Sequence, residues 1–153
     1  MERRNMQKMK FNFKGIHHCA AVVLTCIDFR FWRETIAFIE EKFKIKDFDF
    51  PSLPGSAKAI NESNGEDVSF QCISVPVELH HVQKIIIVNH EDCGAYGGSE
   101  KFGGNSAEEQ KFHEKELRKA KEKISAKYSG KEVIMLYARL DDAKTEVEFI
   151  EFN

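Results

Sequence analysis

No uninterrupted apolar run in this 153-residue sequence approaches the length of a membrane span, and the basic stretch Met1 to Lys14 has no apolar core of the kind a secretory leader carries. The expectation is a cytoplasmic protein that does not engage a membrane. An excess of one charge is missing too: the formal net charge is -2, with lysines interleaved among glutamates, so the long-range attraction that nucleic acid requires is absent. Cysteine is sparse. Cys19, Cys26, Cys72 and Cys93 are widely spaced in a chain of cytosolic character, where thiols stay reduced and serve metal binding, catalysis or packing rather than disulfides. The glycine-rich Gly94 to Gly98 loop lacks the lysine of a phosphate-binding G-x-x-x-x-G-K-[ST] segment, and there is no internal repeat or low-complexity stretch.

With 42% apolar and 31% charged residues, the chain is expected to form one domain over residues 1–153, its first 18 residues a basic arm. Ala20 to Thr25 and Lys84 to Asn89 are nearly continuous apolar runs of strand length, as parallel strands covered on both faces require. Val133 to Tyr137 is a third such run, Asp47 to Phe50 a short strand, and Thr145 to Phe152 a last strand folded back after Asp141-Asp142. Between Phe31 and Phe43, Trp32, Ile36, Ile39 and Phe43 recur at helical intervals. Val68 to Val82 reads as a buried helix kinked or interrupted at Pro76. Ser106 to Glu109 offers a capping box for a helix that carries Leu117, Ala120, Ile124 and Tyr128 on one stripe and ends near Gly130. Strands alternating with helices predict an α/β fold with a mostly parallel sheet flanked by helices and an antiparallel C-terminal edge strand.

In such sheets ligands bind beyond the carboxyl ends of the strands, where Cys26 and the His90 to Cys93 group both fall. Two thiolates and one imidazole suit zinc; three protein ligands leave a fourth position open for chemistry, whereas a fourth protein ligand would close a structural site. Both forms stay open on the residues alone.

Each strand ends in a recognisable segment: Cys26-Ile27-Asp28-Phe29-Arg30 after the first and His90-Glu91-Asp92-Cys93-Gly94 after the central one. C-x-D-x-R followed by H-x-x-C-G resembles the zinc signature of the β-class carbonic anhydrases, over roughly Val22 to Phe152. The resemblance implies that Cys26, His90 and Cys93 ligate Zn2+, and that Asp28 and Arg30 form the dyad serving catalysis. Asp28 either accepts a hydrogen bond from water at the metal or itself takes the fourth position. It further implies reversible hydration of carbon dioxide to bicarbonate by zinc-generated hydroxide, and a homodimer or higher homo-oligomer. Where that family commonly carries R-N-A-G or K-N-A-G, this chain has Leu53-Pro54-Gly55-Ser56-Ala57. Two other readings therefore stand beside the first: a zinc hydrolase of a small linear substrate such as carbonyl sulfide or carbon disulfide, and a non-catalytic zinc protein closed by Asp28.

Simpler roles are expected elsewhere. His17-His18 and His80-His81 read as surface or boundary residues, because neighbours in sequence point different ways. Cys19 and Cys72 read as small packed hydrophobes, and Phe29 and Trp32 as core aromatics in preference to residues lining a substrate pocket beside the dyad.

Overall fold

The computed structural model describes residues 8–153, so the first seven residues of the basic arm lie outside the described residues. Ala21–Leu24 forms β1, Phe48–Asp49 β2, Lys84–His90 β3, Glu132–Leu140 β4 and Val147–Phe152 β5. They make one sheet in the order β2-β1-β3-β4-β5, parallel except for the antiparallel β4–β5 edge. This is the α/β architecture expected from the sequence.

The apolar runs are continuous because each strand faces a core on both sides. Val22, Leu24, Ile85, Ile87, Val133 and Met135 enter one cluster, whereas Ala21, Val23, Ile86, Val88, Ile134 and Leu136 enter the other. Helix α1 (Trp32–Phe43) covers the second face through Ile39 and Phe38, and Phe38 stacks on Phe149 of β5 at 4.4 Å between ring centroids. The first face is covered by α2 (Ala57–Glu62), α3 (Val68–Leu79) and α4 (Ser106–Lys127), through Ile60, Phe70, Ile73, Leu117, Ala120 and Ile124.

Four local readings are corrected. Helix α3 runs through Pro76 rather than breaking there and ends one turn later, where the His80 N–H bonds the Pro76 carbonyl at 3.1 Å; Pro76 is buried in the last turn, so little helix remains to disrupt. Helix α4 is capped by Asn105, whose side chain accepts from the Glu108 N–H at 3.1 Å; Ser106 is already helical, and Glu109 turns inward with 1% exposure. Phe29 and Trp32 are 81% and 40% exposed and do not pack the core, because the buried stripe entering α1 is Phe31, Thr35 and Ile39. The short helix α2, where the sequence reading placed no element, has no side-chain cap and starts after Ser56 at φ 50.

Candidate metal centre

The carboxyl ends of adjacent β1 and β3 supply the convergent side chains. Beyond β1, Thr25 is held to the next segment by its N–H to the Pro51 carbonyl at 3.0 Å and by its carbonyl accepting from the Leu53 N–H at 2.9 Å. That fixes Cys26, the following residue. His90 is the last residue of β3; the Glu91 N–H then bonds the Ala138 carbonyl of β4 at 2.9 Å. Asp92 adopts φ 56, a left-handed turn that aspartate tolerates, and this reverses the chain so that Cys93 comes back toward His90. The Cys93 carbonyl accepts from the N–H groups of Tyr96 and Gly98 at 3.0 and 2.9 Å, which closes the loop.

The ligand atoms of Cys26, His90 and Cys93 all lie within 4.8 Å of one another, a set that Asp28 does not join. The two Sγ atoms are 3.8 Å apart. Zinc–sulfur bonds of about 2.3 Å in a tetrahedron place two thiolates about 3.8 Å apart, so this spacing suits such an ion. Burial and orientation of His90 agree: Nδ1 bonds the Glu91 carbonyl at 2.7 Å, Phe31 stacks on the ring at 4.3 Å, and Nε2 is buried without a hydrogen-bond partner. An imidazole held by one nitrogen with the other directed at a pair of thiols is the arrangement a metal ligand needs. The residues present fit a borderline-soft divalent ion.

Electrostatics also separate the two thiols. Cys26 is pulled down, first by the hydrogen bond it shares with Cys93, then through His90 and the Gly55 N–H at 3.4 Å, against the opposing effect of burial. Cys93 is pushed up by the same shared bond and by burial. The two thiols therefore titrate as a pair, one sulfur ionising well before the other.

Beside this group, Arg30 grips Asp28. Arg30 Nε lies 3.0 and 3.1 Å from the two carboxylate oxygens, Nη2 lies 2.6 Å from Oδ2, and the Arg30 backbone N–H donates to Oδ1 at 3.0 Å. These bonds hold the Asp28 carboxyl below the usual carboxylate range. Its Oδ2 is 3.8 Å from His90 Nε2, at the border of the convergent group.

Several supporting residues were not singled out in the sequence. Arg30 also donates to the Asp92 carboxylate and carbonyl, each at 3.1 Å. Asp92 is held in turn by buried Glu109, which accepts the Asp92 N–H at 2.7 Å and the Ser99 hydroxyl at 2.7 Å. Asn89 accepts from the Ala57 N–H at 3.1 Å and bonds His113 Nδ1 at 3.0 Å, tying α2 and α4 to β3. The available signal was helical phase: Glu109 and His113 fall on the stripe of Leu117, Ala120 and Ile124, so they are polar residues on a buried face. On the outer side of Arg30 and Asp92 a cavity of 630 Å³ opens, also lined by Phe31, Glu34, Leu140 and Lys144.

The buried imidazole of His113 makes a separable prediction. Burial lowers its pKa from 6.5 to about 3. Below pH 6.5 the unfolded chain therefore binds a proton that the folded chain refuses, and stability falls as pH drops toward 3. At pH 5 the loss from this residue is on the order of 2 kcal/mol relative to neutral pH. Denaturant midpoints from pH 7 to 5 should show a shallower decline in His113→Gln than in the parent chain; equal slopes would remove His113 as the source.

A family model described as "Putative carbonic anhydrase" matches residues 16–151. An uncharacterized protein of Rickettsia bellii (strain RML369-C) is 29% identical over 138 residues, covering 86% of this chain and 84% of that protein. An uncharacterized protein of Rickettsia conorii (strain ATCC VR-613 / Malish 7) is 27% identical over 143 residues, covering 89% and 76% respectively. No solved structure matches the chain.

Proposed function

The chain belongs to the family described as "Putative carbonic anhydrase", and from that membership we propose that it catalyses the zinc-dependent, reversible hydration of carbon dioxide to bicarbonate. Cys26, His90 and Cys93 would hold the ion. The observation that carries the reading is the pairing of two thiols 3.8 Å apart with a buried, partnerless imidazole nitrogen, all at the ends of adjacent parallel strands. Zinc held by three protein ligands supplies the Lewis acidity that makes water a nucleophile near neutral pH.

The remaining work falls to the chain's own groups. Asp28, kept ionised by Arg30, accepts a hydrogen bond from the attacking water and so orients its lone pair toward the substrate carbon. Arg30 is a positioning residue: donating to both carboxylate oxygens, it holds Asp28 back from the ion. The formed pair favours this role over ligation by Asp28. Asp92 and Glu109 brace Arg30 from the other side, so the dyad is fixed before substrate arrives. Among the described residues no helix is long and apolar enough to cross a membrane.

Stopped-flow measurement of carbon dioxide hydration on the zinc-loaded full chain, from neutral to alkaline pH, tests the proposal. Zinc-dependent turnover is the expected result. Zinc bound at this centre without hydration, but with turnover of carbonyl sulfide or carbon disulfide, would replace it with the hydrolase reading. Absence of all three activities would leave a non-catalytic metal protein.

A further inference from the structure

A second group of metal-ligating side chains converges at the opposite end of β1. Cys19 precedes the strand by two residues and Cys26 follows it by two, a separation of roughly 20 Å in extended chain. The ligand atoms of Cys19, Asp49 and His80 all lie within 4.8 Å of one another. Cys19 Sγ is 3.6 Å from Asp49 Oδ2, and His80 Nδ1 is 2.7 Å from the same oxygen. All three are half-buried rather than splayed into solvent.

We propose that Cys19, Asp49 and His80 form a second metal site for a borderline divalent cation, zinc foremost, distinct from the Cys26 centre. The donor set combines a sulfur, a carboxylate oxygen and an imidazole nitrogen, all within zinc's usual ligands. Tetrahedral zinc with ordinary bond lengths spaces such atoms about 3.3–3.6 Å apart. The Cys19–Asp49 separation already meets that value; the His80–Asp49 contact would open by about 0.7 Å as an ion replaces the shared hydrogen bond.

The scaffold is rigid where a site needs it to be. The Cys19 N–H bonds the His80 carbonyl at 3.2 Å, and the Ala20 N–H bonds the Asp47 carbonyl at 3.3 Å, so the three ligand-bearing segments are joined through the backbone. His80 caps the C-terminal end of α3, the end of a helix that favours a cation. A cavity of 260 Å³ lies over the group and leaves room for a fourth ligand. His17 lines the same cavity, its ring centroid 6.3 Å from that of His80, outside the converging group of three. Of the two lysines that line the cavity, Lys14 is paired with Asp47 at 2.7 Å; Lys46 is the second. The two lysines would attract an anion, but the Asp49 carboxylate at the centre of the group repels one.

The test is zinc stoichiometry of the full chain after equilibrium dialysis, in the parent and in Cys19→Ser, Asp49→Asn and Cys26→Ser. Each single variant should lose one zinc per chain, and Cys19→Ser with Cys26→Ser should lose both. Cobalt substitution gives a second readout: the thiolate-to-cobalt charge-transfer band should weaken in Cys19→Ser. Affinity at this site should fall by more than about tenfold on loss of one ligand, exceeding the cost of losing an outer partner. Asp49→Asn keeps the side-chain shape and guards against a Cys19 variant that fails to fold. A zinc count unchanged in both Cys19→Ser and Asp49→Asn overturns the proposal, whatever Cys26→Ser does.

Discussion

Replacing Cys26 by serine is expected to abolish stoichiometric zinc binding at the β1–β3 centre. The variant keeps the shape of the residue but replaces one sulfur of the pair with a hydroxyl that stays protonated near neutral pH. Two ligands would remain, His90 and a Cys93 that no longer has a thiolate partner at 3.8 Å. Because an ion that binds only the folded chain stabilises it by mass action, zinc at a thousandfold excess over Kd should contribute about 4 kcal/mol to the parent. The contribution of this centre in the variant should be close to zero, leaving only the shift that zinc at the Cys19 group supplies. Metal analysis after dialysis, with thermal unfolding in the presence and absence of zinc, measures both effects. Full zinc retention at this centre with an unchanged thermal shift would refute the ligand assignment.

The second large effect is expected from Arg30→Ala, which should leave zinc in place and remove turnover. Loss of the guanidinium removes every side-chain hydrogen bond that now restrains the Asp28 carboxylate and also breaks the link to Asp92. A freed carboxylate beside the metal position can then take the site that water needs. Hydration should fall by about 100-fold, as for loss of an orienting partner at a metal site. Arg30→Lys should rescue little, because a single ammonium cannot span two oxygens of Asp28 and also reach Asp92. Parent-like kcat/KM in Arg30→Ala, with zinc bound, would exclude the positioning role.

The parts of this fold that could be read from sequence are those set by continuous burial. Ala21–Leu24 and Ile85 to Val88 of the central strand lie between two cores, so both runs are unbroken by polar residues. The same rule brought Cys26 and His90 to one edge, because parallel neighbours end on the same side. Helix starts were less legible. Ser106-Ala-Glu-Glu109 has the pattern of a capping box, yet the cap lies one residue earlier, and the buried Glu109 spends both oxygens on Asp92 and Ser99. Nothing local distinguishes those uses; only the position of the Gly-rich loop over α4 does. Phe29 and Trp32 misled for a related reason, since apolar type says nothing about which side of the turn into α1 a residue occupies. His80 and Cys19 were read one at a time as boundary and packing residues, and their meeting with Asp49 depends on where α3 ends against the β1–β2 edge.

The Leu53 to Ala57 segment approaches Cys26 through the Gly55 N–H, which donates to the thiol sulfur at 3.4 Å with Gly55 at φ 76. A Cβ at Gly55 would stand 2.8 Å from that of Lys58, so the position is closed to side chains. The requirement here is a dihedral angle and a main-chain donor, not a functional group. Evolution can rewrite the letters around such a point while the hydrogen bond persists. Surveys that score this stretch by residue identity will therefore undercount the chains able to build the same sulfur environment, and a scan for positive φ at this place should recover them.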